Sequence, residues 1–309
     1  MGLFAVIDIG GTSIKYGVIN EDGTLLETND RDTEAYKGGL SIIDKVKDII
    51  HEIKINNDIS GICVSTAGMV CPKEGKIVYA GPTIPNYTGV EVKKILEEEF
   101  NLPCFVENDV NCAALGEFFG GAGKGTHSMA CLTIGTGIGG ALIIDGKVLH
   151  GFSNSAGEIG YMMVNGENIQ DIASASALVK NVALRKGVEP SSIDGRYVLD
   201  NYENGDLICK EEVEKLADNL ALGISNIVYL INPEVVVLGG GIMAREEVFR
   251  PLIENSLRKY LIESVYNNTK IAFAKLKNTA PASPRLNDPA KSTWPTTVIT
   301  LGGAETMPL

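Results

Sequence analysis

The sequence lacks any C-x-x-C pair: its six cysteines (Cys63, Cys71, Cys104, Cys112, Cys131 and Cys209) are scattered, and its three histidines (His51, His127 and His150) stand apart from one another. That spacing argues against a cysteine–histidine zinc site and gives no disulfide framework, so reduced, mostly buried thiols and surface or satisfied histidines are expected. Basic residues are also short, 27 Lys and Arg against 39 Asp and Glu, for a net charge of −12. A chain that needs clustered cations to neutralise phosphates would not look like this, so nucleic acid is not expected as a partner. A small anionic ligand held by backbone dipoles is still compatible with it. No apolar run approaches the ~20 residues of a membrane span, and the start, MGLFAVIDIGG, has no basic leader. No membrane association and a cytoplasmic location are the expectation.

Glycine, in contrast, is plentiful, with 35 residues in 309, and it is concentrated in repeated patterns. Residues 5–23 read AVIDIGGTSIKYGVINEDG and residues 131–146 read CLTIGTGIGGALIIDG. Each is an apolar strand ending in I-G, a threonine among glycines, a second apolar strand and a D-G turn. Strand-like runs at 3–9, 14–19, 24–28, 61–66 and 103–108 alternate with helical patterns at 38–55, 89–100 and 110–119. The pattern restarts with strands at 128–134, 139–144 and 147–150. A mostly helical stretch follows at 172–232, then a strand at 234–240, a helix at 245–260 and a strand at 270–276. Such alternation indicates α/β architecture with largely parallel sheets. Two lobes are expected, 1–119 and 120–280, divided at GGAGKGTH (120–127), with the two hairpins on a shared cleft. The tail, 281–309, holds five of the twelve prolines and the only tryptophan without sustained periodicity. It is expected to pack poorly, and we read it as out-of-frame or otherwise foreign sequence.

Five constellations carry chemistry. In IDIGGTSIKYG, Gly10 and Gly11 allow close backbone approach to a phosphate, Thr12 adds a hydroxyl and Lys15 a positive charge. Asp8, at the end of the strand, suits a hydrated Mg²⁺. In LTIGTGIGG, Gly135, Thr136 and Gly137 could clasp a second phosphate; a plain tight turn is the alternative for both. VVVLGGGIMA matches G-x-G-x-x-A through Gly239, Gly240, Gly241 and Ala244, but the next strand, KIAFAKL, has no acid at its end to hold a dinucleotide ribose. A loop passing an adenine or ribose is preferred there. PCFVENDVNCAAL sets Asn108 and Asp109 at a strand end that opens a helix, where Asp109 could take a proton from an attacking hydroxyl or simply cap the helix. SAGEIGYMMV sets Glu158 between glycines, where it could accept bonds from sugar hydroxyls or be an exposed loop acid.

Taken in order, IDIGGTSIKYG, TAGMV, ENDVNCAALGE, LTIGTGIGGALIIDGKVLHG, AGEIG and VVVLGGGI resemble the ROK family of sugar kinases and regulators across about residues 3–280. The resemblance implies an α/β fold of two actin-like (ribonuclease H-like) lobes with the nucleotide and sugar held between them. It implies ATP, with its phosphates on the two hairpins, Mg²⁺ held by Asp8 through water, and Gly239–Gly241 by the adenosine. It implies a sugar pocket lined by Gly68, Asn108, Asp109 and Glu158, with Asp109 as the base toward a primary hydroxyl, the 6-hydroxyl of a hexose, and a homodimeric assembly. ROK repressors carry an added N-terminal DNA-binding domain, whereas this chain opens on the phosphate hairpin and looks like the kinase branch.

The likeness is not complete. Most ROK kinases have histidine where this chain has Tyr161, followed by a cysteine-rich zinc knot; YMMVNGENIQDIAS holds no cysteine and is shorter. No zinc is expected, and Tyr161 takes the place on the sugar side. That resembles the zinc-less members that phosphorylate β-glucosides or other modified hexoses. Two rival functions remain open: a non-catalytic sugar sensor that keeps the pocket, and a nicotinamide-dependent oxidoreductase built on residues 239–244.

Overall fold

The computed structural model describes residues 2–276, so the expectation for the 281–309 tail lies outside the described residues. The chain forms two compact units. The first comprises residues 2–124, 150–155 and Leu276; the second comprises 125–149 and 156–275.

In the first unit, β1 (Leu3–Ile9), β2 (Ser13–Asn20) and β3 (Leu25–Asp32) run as an antiparallel meander into α1 (Gly39–Asn56). After β4 (Ile59–Thr66) come a small hairpin of β5 (Met69–Cys71) and β6 (Lys76–Tyr79), then α2 (Val92–Phe100), β7 (Cys104–Asn108) and α3 (Asp109–Gly120). The five-stranded sheet has the order β3-β2-β1-β4-β7, with β1, β4 and β7 parallel. Alternation along the strands sorts its two faces. Ala5, Ile7 and Ile9 of β1, Ile62 and Val64 of β4, and Cys104 and Val106 of β7 join the core that α1 covers with Ile42, Ile43, Val46, Ile49, Ile50 and Ile53. Those six aliphatics recur at helical spacing, and each contributes roughly 1.5–3 kcal/mol on burial. On the other face a small cluster of Val6, Ile19 and Cys63 is flanked by Phe4, Leu25 and Phe105. Toward the carboxyl ends of the strands, the same side-chain parity places Asp8, Ser65 and Glu107 on that second face.

The second unit repeats the plan. Strands β8 (Ser128–Ile134), β9 (Ile138–Ile144) and β10 (Lys147–Val148) form the meander. A short hairpin of β11 (Met163–Val164) and β12 (Glu167–Asn168) leads into α4 (Ile169–Ala173), α5 (Ala175–Lys186), α6 (Gly195–Glu203) and α7 (Leu207–Ile231). Then come β13 (Val235–Gly239), α8 (Glu246–Tyr260), α9 (Glu263–Tyr266) and β14 (Ile271–Phe273). The sheet order, β10-β9-β8-β13-β14, has the same alternation of antiparallel and parallel pairs as the first. Its core gathers Leu132, Ile134, Val236 and Leu238 from the sheet with Leu216, Leu220 and Ile224 of α7 and Phe249 and Ile253 of α8.

Differences from the sequence reading are local. The third strand continues to Asp32 rather than stopping near 28, because an edge strand paired only with β2 tolerates the charged LETNDRD run on exposed faces. The stretch read as mostly helical, 172–232, is four helices, three of them restarted by side-chain caps: Ser174 accepts from the Ala177 amide, Asp194 from Tyr197 and Asp206 from Cys209. After β13 the chain makes a 3₁₀ turn (Ile242–Ala244) before α8, so G-x-G-x-x-A does not run straight into a helix as a dinucleotide fingerprint requires. All six cysteines are free thiols, five of them buried. No helix of the described residues is long and apolar enough to cross a membrane.

Candidate active site

In the first unit the parallel strands end in two rows set by register. Asp8, Ser65 and Glu107 are cross-strand partners, and one row further on so are Ile9, Thr66 and Asn108. Ligands of α/β sheets bind outside the carboxyl ends of such strands, and polar residues are placed here although the surroundings are buried. Asp8 is 8% exposed and its Oδ1 accepts from the Ser65 hydroxyl at 2.7 Å. Across the hairpin, Lys15 is the direct partner of Asp8. The buried Cys112 thiol of α3 lies within reach of Ser65 and feels the Glu107, Asp8 and Asp109 charges; burial, foremost, pushes it well above the usual thiol range.

The turn after β1 is fixed from inside. The Gly10 amide donates to the Ser13 carbonyl at 3.0 Å, so that N–H is occupied within the turn. A Cβ at Gly10 would stand 2.9 Å from the same oxygen, which explains the glycine. Thr33, 1% exposed, pins the loop from outside, its amide donating to Thr12 O and its hydroxyl to Gly10 O. Thr12 itself is exposed, at the tip beside Gly11.

Asp109 lies at the first turn of α3. Sequence reasoning allowed it to be the helix cap, but the cap is Asn108, whose Oδ1 accepts from the Val110 and Asn111 amides. Asn108 Nδ2 donates both to Gly68 O at 3.0 Å and to Asp109 Oδ1 at 2.9 Å. Gly68 holds φ +99°, and a Cβ there would meet Tyr79 O at 2.7 Å, so the residue is glycine for backbone reasons. The structure thus brings Gly68, Asn108 and Asp109 into one hydrogen-bonded set. Asp109 is partly buried, and desolvation raises its carboxyl to about 6; the Val110 amide, its own amide and Asn108 oppose the rise.

In the second unit the turn after β8 follows the same construction. The Gly135 amide donates to Gly137 O, and Gly135 O accepts from the Ala175 amide that opens α5. Thr136 is exposed at the tip, as Thr12 is in the first unit. Gly240 has φ +100°, and a Cβ there would stand 2.2 Å from Ile134 O. The third glycine cluster, Gly239–Gly241, therefore rests against the end of β8, next to Gly135, Thr136 and Gly137. Glu158 precedes the 3₁₀ turn Ile159–Tyr161. The glycines that flank it are packing residues: a Cβ at Gly157 would meet Gly140 O at 3.0 Å and one at Gly160 would meet Ile138 O at 2.3 Å, both on β9. Tyr161 is 51% exposed. Glu158 and Tyr161 thus belong to the second unit, while Gly68, Asn108 and Asp109 belong to the first.

Three residues at this end of the first unit escaped the sequence reading: Ser65, Thr33 and Glu107. Glu107 is 2% exposed and its carboxylate has three hydrogen-bond partners. Their signal was weak, since a serine or glutamate inside an apolar run reads as strand filler, and their partners lie 57, 23 and 43 residues away. Among the described residues no three His, Cys, Asp or Glu side chains gather as a metal site. A single hard carboxylate with a neighbouring hydroxyl, as at Asp8, is a donor set that suits Mg²⁺, which keeps most of its waters.

Two α/β units that repeat one strand order, each opening on a glycine-turned hairpin, define the actin-like class of fold. A model of the ROK family matches residues 4–283, and the chain belongs to the ROK family. It is 99% identical over 280 residues to protein CPE0188 of Clostridium perfringens, covering 91% of this chain and 95% of that one. It is 32% identical to the β-glucoside kinase of Listeria innocua, across 89% of this chain and 93% of the other. Among solved structures it resembles a ROK family glucokinase from Streptomyces griseus in complex with glucose and AMPPNP, at 27% identity and a TM-score of 0.74, covering 89% of this chain and 95% of that one.

Proposed function

We propose that the protein is an ATP-dependent sugar kinase that phosphorylates a hydroxyl, the 6-hydroxyl, of a hexose or hexoside. The observation that carries this is Asp109: a carboxylate at a strand end, held by Asn108 against Gly68, with its proton affinity raised to the range of a working base. Support comes from relatives named β-glucoside kinase and glucokinase. In this reading Asn108, Gly68, Glu158 and Tyr161 bind the sugar. The substrate oxygen attacks the γ-phosphorus of ATP as the bond to the β-phosphate oxygen breaks, and its proton passes to Asp109. The bonds from Asn108 Nδ2 and the Val110 amide both fall on Asp109 Oδ1, which leaves Oδ2 as the atom assigned to receive the proton.

The turns at Gly10–Thr12 and Gly135–Gly137, with Lys15, hold the phosphates, and Gly239–Gly241 hold the adenosine. With the Gly10 and Gly135 amides occupied inside their turns, contact falls to the Thr12 and Thr136 hydroxyls and the neighbouring backbone. Asp8 would hold Mg²⁺ through water, where the ion neutralises charge on the triphosphate. Tyr161 and its cysteine-free loop favour a glycoside or modified hexose over plain glucose. A homodimer completes the reading, checked by sedimentation.

The test is ADP release from Mg-ATP with glucose, N-acetylmannosamine and cellobiose in turn. Acceptor-dependent ADP is expected, and Asp109→Asn should cut turnover on the order of 10²–10⁴-fold while sugar binding survives. Sugar binding without ADP release identifies a sensor instead, and near-normal turnover in Asp109→Asn removes the base.

A further inference from the structure

The side chain of Glu107 gathers three donors. Its Oε1 accepts from the Asn108 amide at 2.8 Å and from Asn111 Nδ2 at 2.9 Å; its Oε2 is 2.7 Å from His150 Nε2. The first two bonds tie the last residue of β7 to the first turn of α3, the turn that Asp109 opens. The third reaches 43 residues along the chain to the first residue of the 150–155 segment, which belongs to the first unit although its flanks on either side belong to the second. The Glu107 side chain is 3% exposed and that of His150 26%. A buried carboxylate is expensive unless its lone pairs are satisfied, so all three donors matter to keeping it in place.

We propose that Glu107 and His150 are a positioning pair for the phosphoryl-transfer step: His150 Nε2–H holds Glu107 Oε2, and Glu107 Oε1 in turn fixes the β7–α3 turn that aims Asp109. The pair rests on the reading of Asp109 as base. Neither residue touches the reacting atoms in this scheme. Its effect is geometric, because a base displaced by an ångström loses on the order of 10²-fold in rate. With Glu107 as acceptor, the imidazole carries its proton on Nε2. His150 thereby also anchors the start of the segment that leads to Glu158.

The experiment uses the full chain and whichever of glucose, N-acetylmannosamine or cellobiose it phosphorylates fastest. His150→Ala should lower kcat about 10- to 100-fold with KM for Mg-ATP unchanged within about twofold. His150→Gln, whose amide can still donate to Oε2, should recover most of that loss. In the protein without substrate, ¹⁵N NMR should show His150 protonated on Nε2, and Glu107→Gln should shift it to the Nδ1–H tautomer. A kcat for His150→Ala within twofold of the parent overturns the proposal. So does a lower kcat that His150→Gln fails to restore and that tracks a lower melting temperature, which marks a merely structural contact. Asp109→Asn assayed in parallel separates the two readings: full turnover there removes the base, whatever His150 does. If none of the three sugars is phosphorylated, the tautomer decides, and Nδ1–H in the parent protein sinks the pair.

Discussion

A carboxylate raised to about 6 in the fold and near 3.8 when unfolded binds a proton in the native state that the unfolded chain has released. Between those values the native state of Asp109 holds more protons, so its contribution to stability is greatest below about pH 4 and is lost as pH rises through about 6. Asp109→Asn keeps the Oδ1 acceptor for Val110 and Asn108 but removes the charge. It should therefore stabilise the protein at pH 7.5, by on the order of 1–3 kcal/mol, an advantage that fades toward pH 4 in urea titrations. The same group sets the opposite trend in activity. The kcat/KM of the parent should fall tenfold per pH unit below about 6, and the residual rate of the variant should lack that limb. A stability gain that persists unchanged at pH 4 would show that burial is not what raises this carboxyl. With Asp109 as the proposed base, the position gives up stability for a proton affinity matched to neutral pH, the sign expected of a functional carboxylate rather than a structural one.

At the scale of elements, the turns are where glycine is needed. Gly240 combines φ +100° with a Cβ position 2.2 Å from Ile134 O, and a backbone oxygen in a sheet cannot step aside. Gly240→Ala should cost at least about 1–3 kcal/mol and weaken AMPPNP binding along with it, read by urea unfolding and calorimetry on one preparation. Wild-type stability in that variant would mean that the loop relaxes away from β8. The two hairpins, the α1 stripe and the buried parallel strands were legible because each is a long run with one dominant periodicity. The extension of β3 was not, since hydropathy ends at Leu26 while backbone pairing with β2 continues to Asp32. The breaks within 172–232 were partly written in Ser174, Asp194 and Asp206, whose capping role needs the following helix to be seen.

For the whole molecule, the reading of a nucleotide on one set of loops and a sugar on another has a thermodynamic consequence. Mg-AMPPNP at about 100 times its Kd should stabilise the native state by about 2.7 kcal/mol, and the accepted sugar should add to this in thermal unfolding. An absent nucleotide effect would contradict the assignment of Gly10–Thr12 and Gly135–Gly137. The sequence by itself determined the α/β class and the duplicated plan, because strand periodicity and glycine-turned hairpins are local and occur twice. It also singled out Asp8, Asn108 and Asp109, each at the end of an apolar run. Only the tertiary structure decided that Asn108 rather than Asp109 caps α3, and that Ser65 stands against Asp8. It alone revealed Glu107 as the centre of three bonds, one of them from His150. Those facts depend on which strand lies beside which and in what register, and contacts between residues 43 or 57 apart leave no periodic trace along the chain.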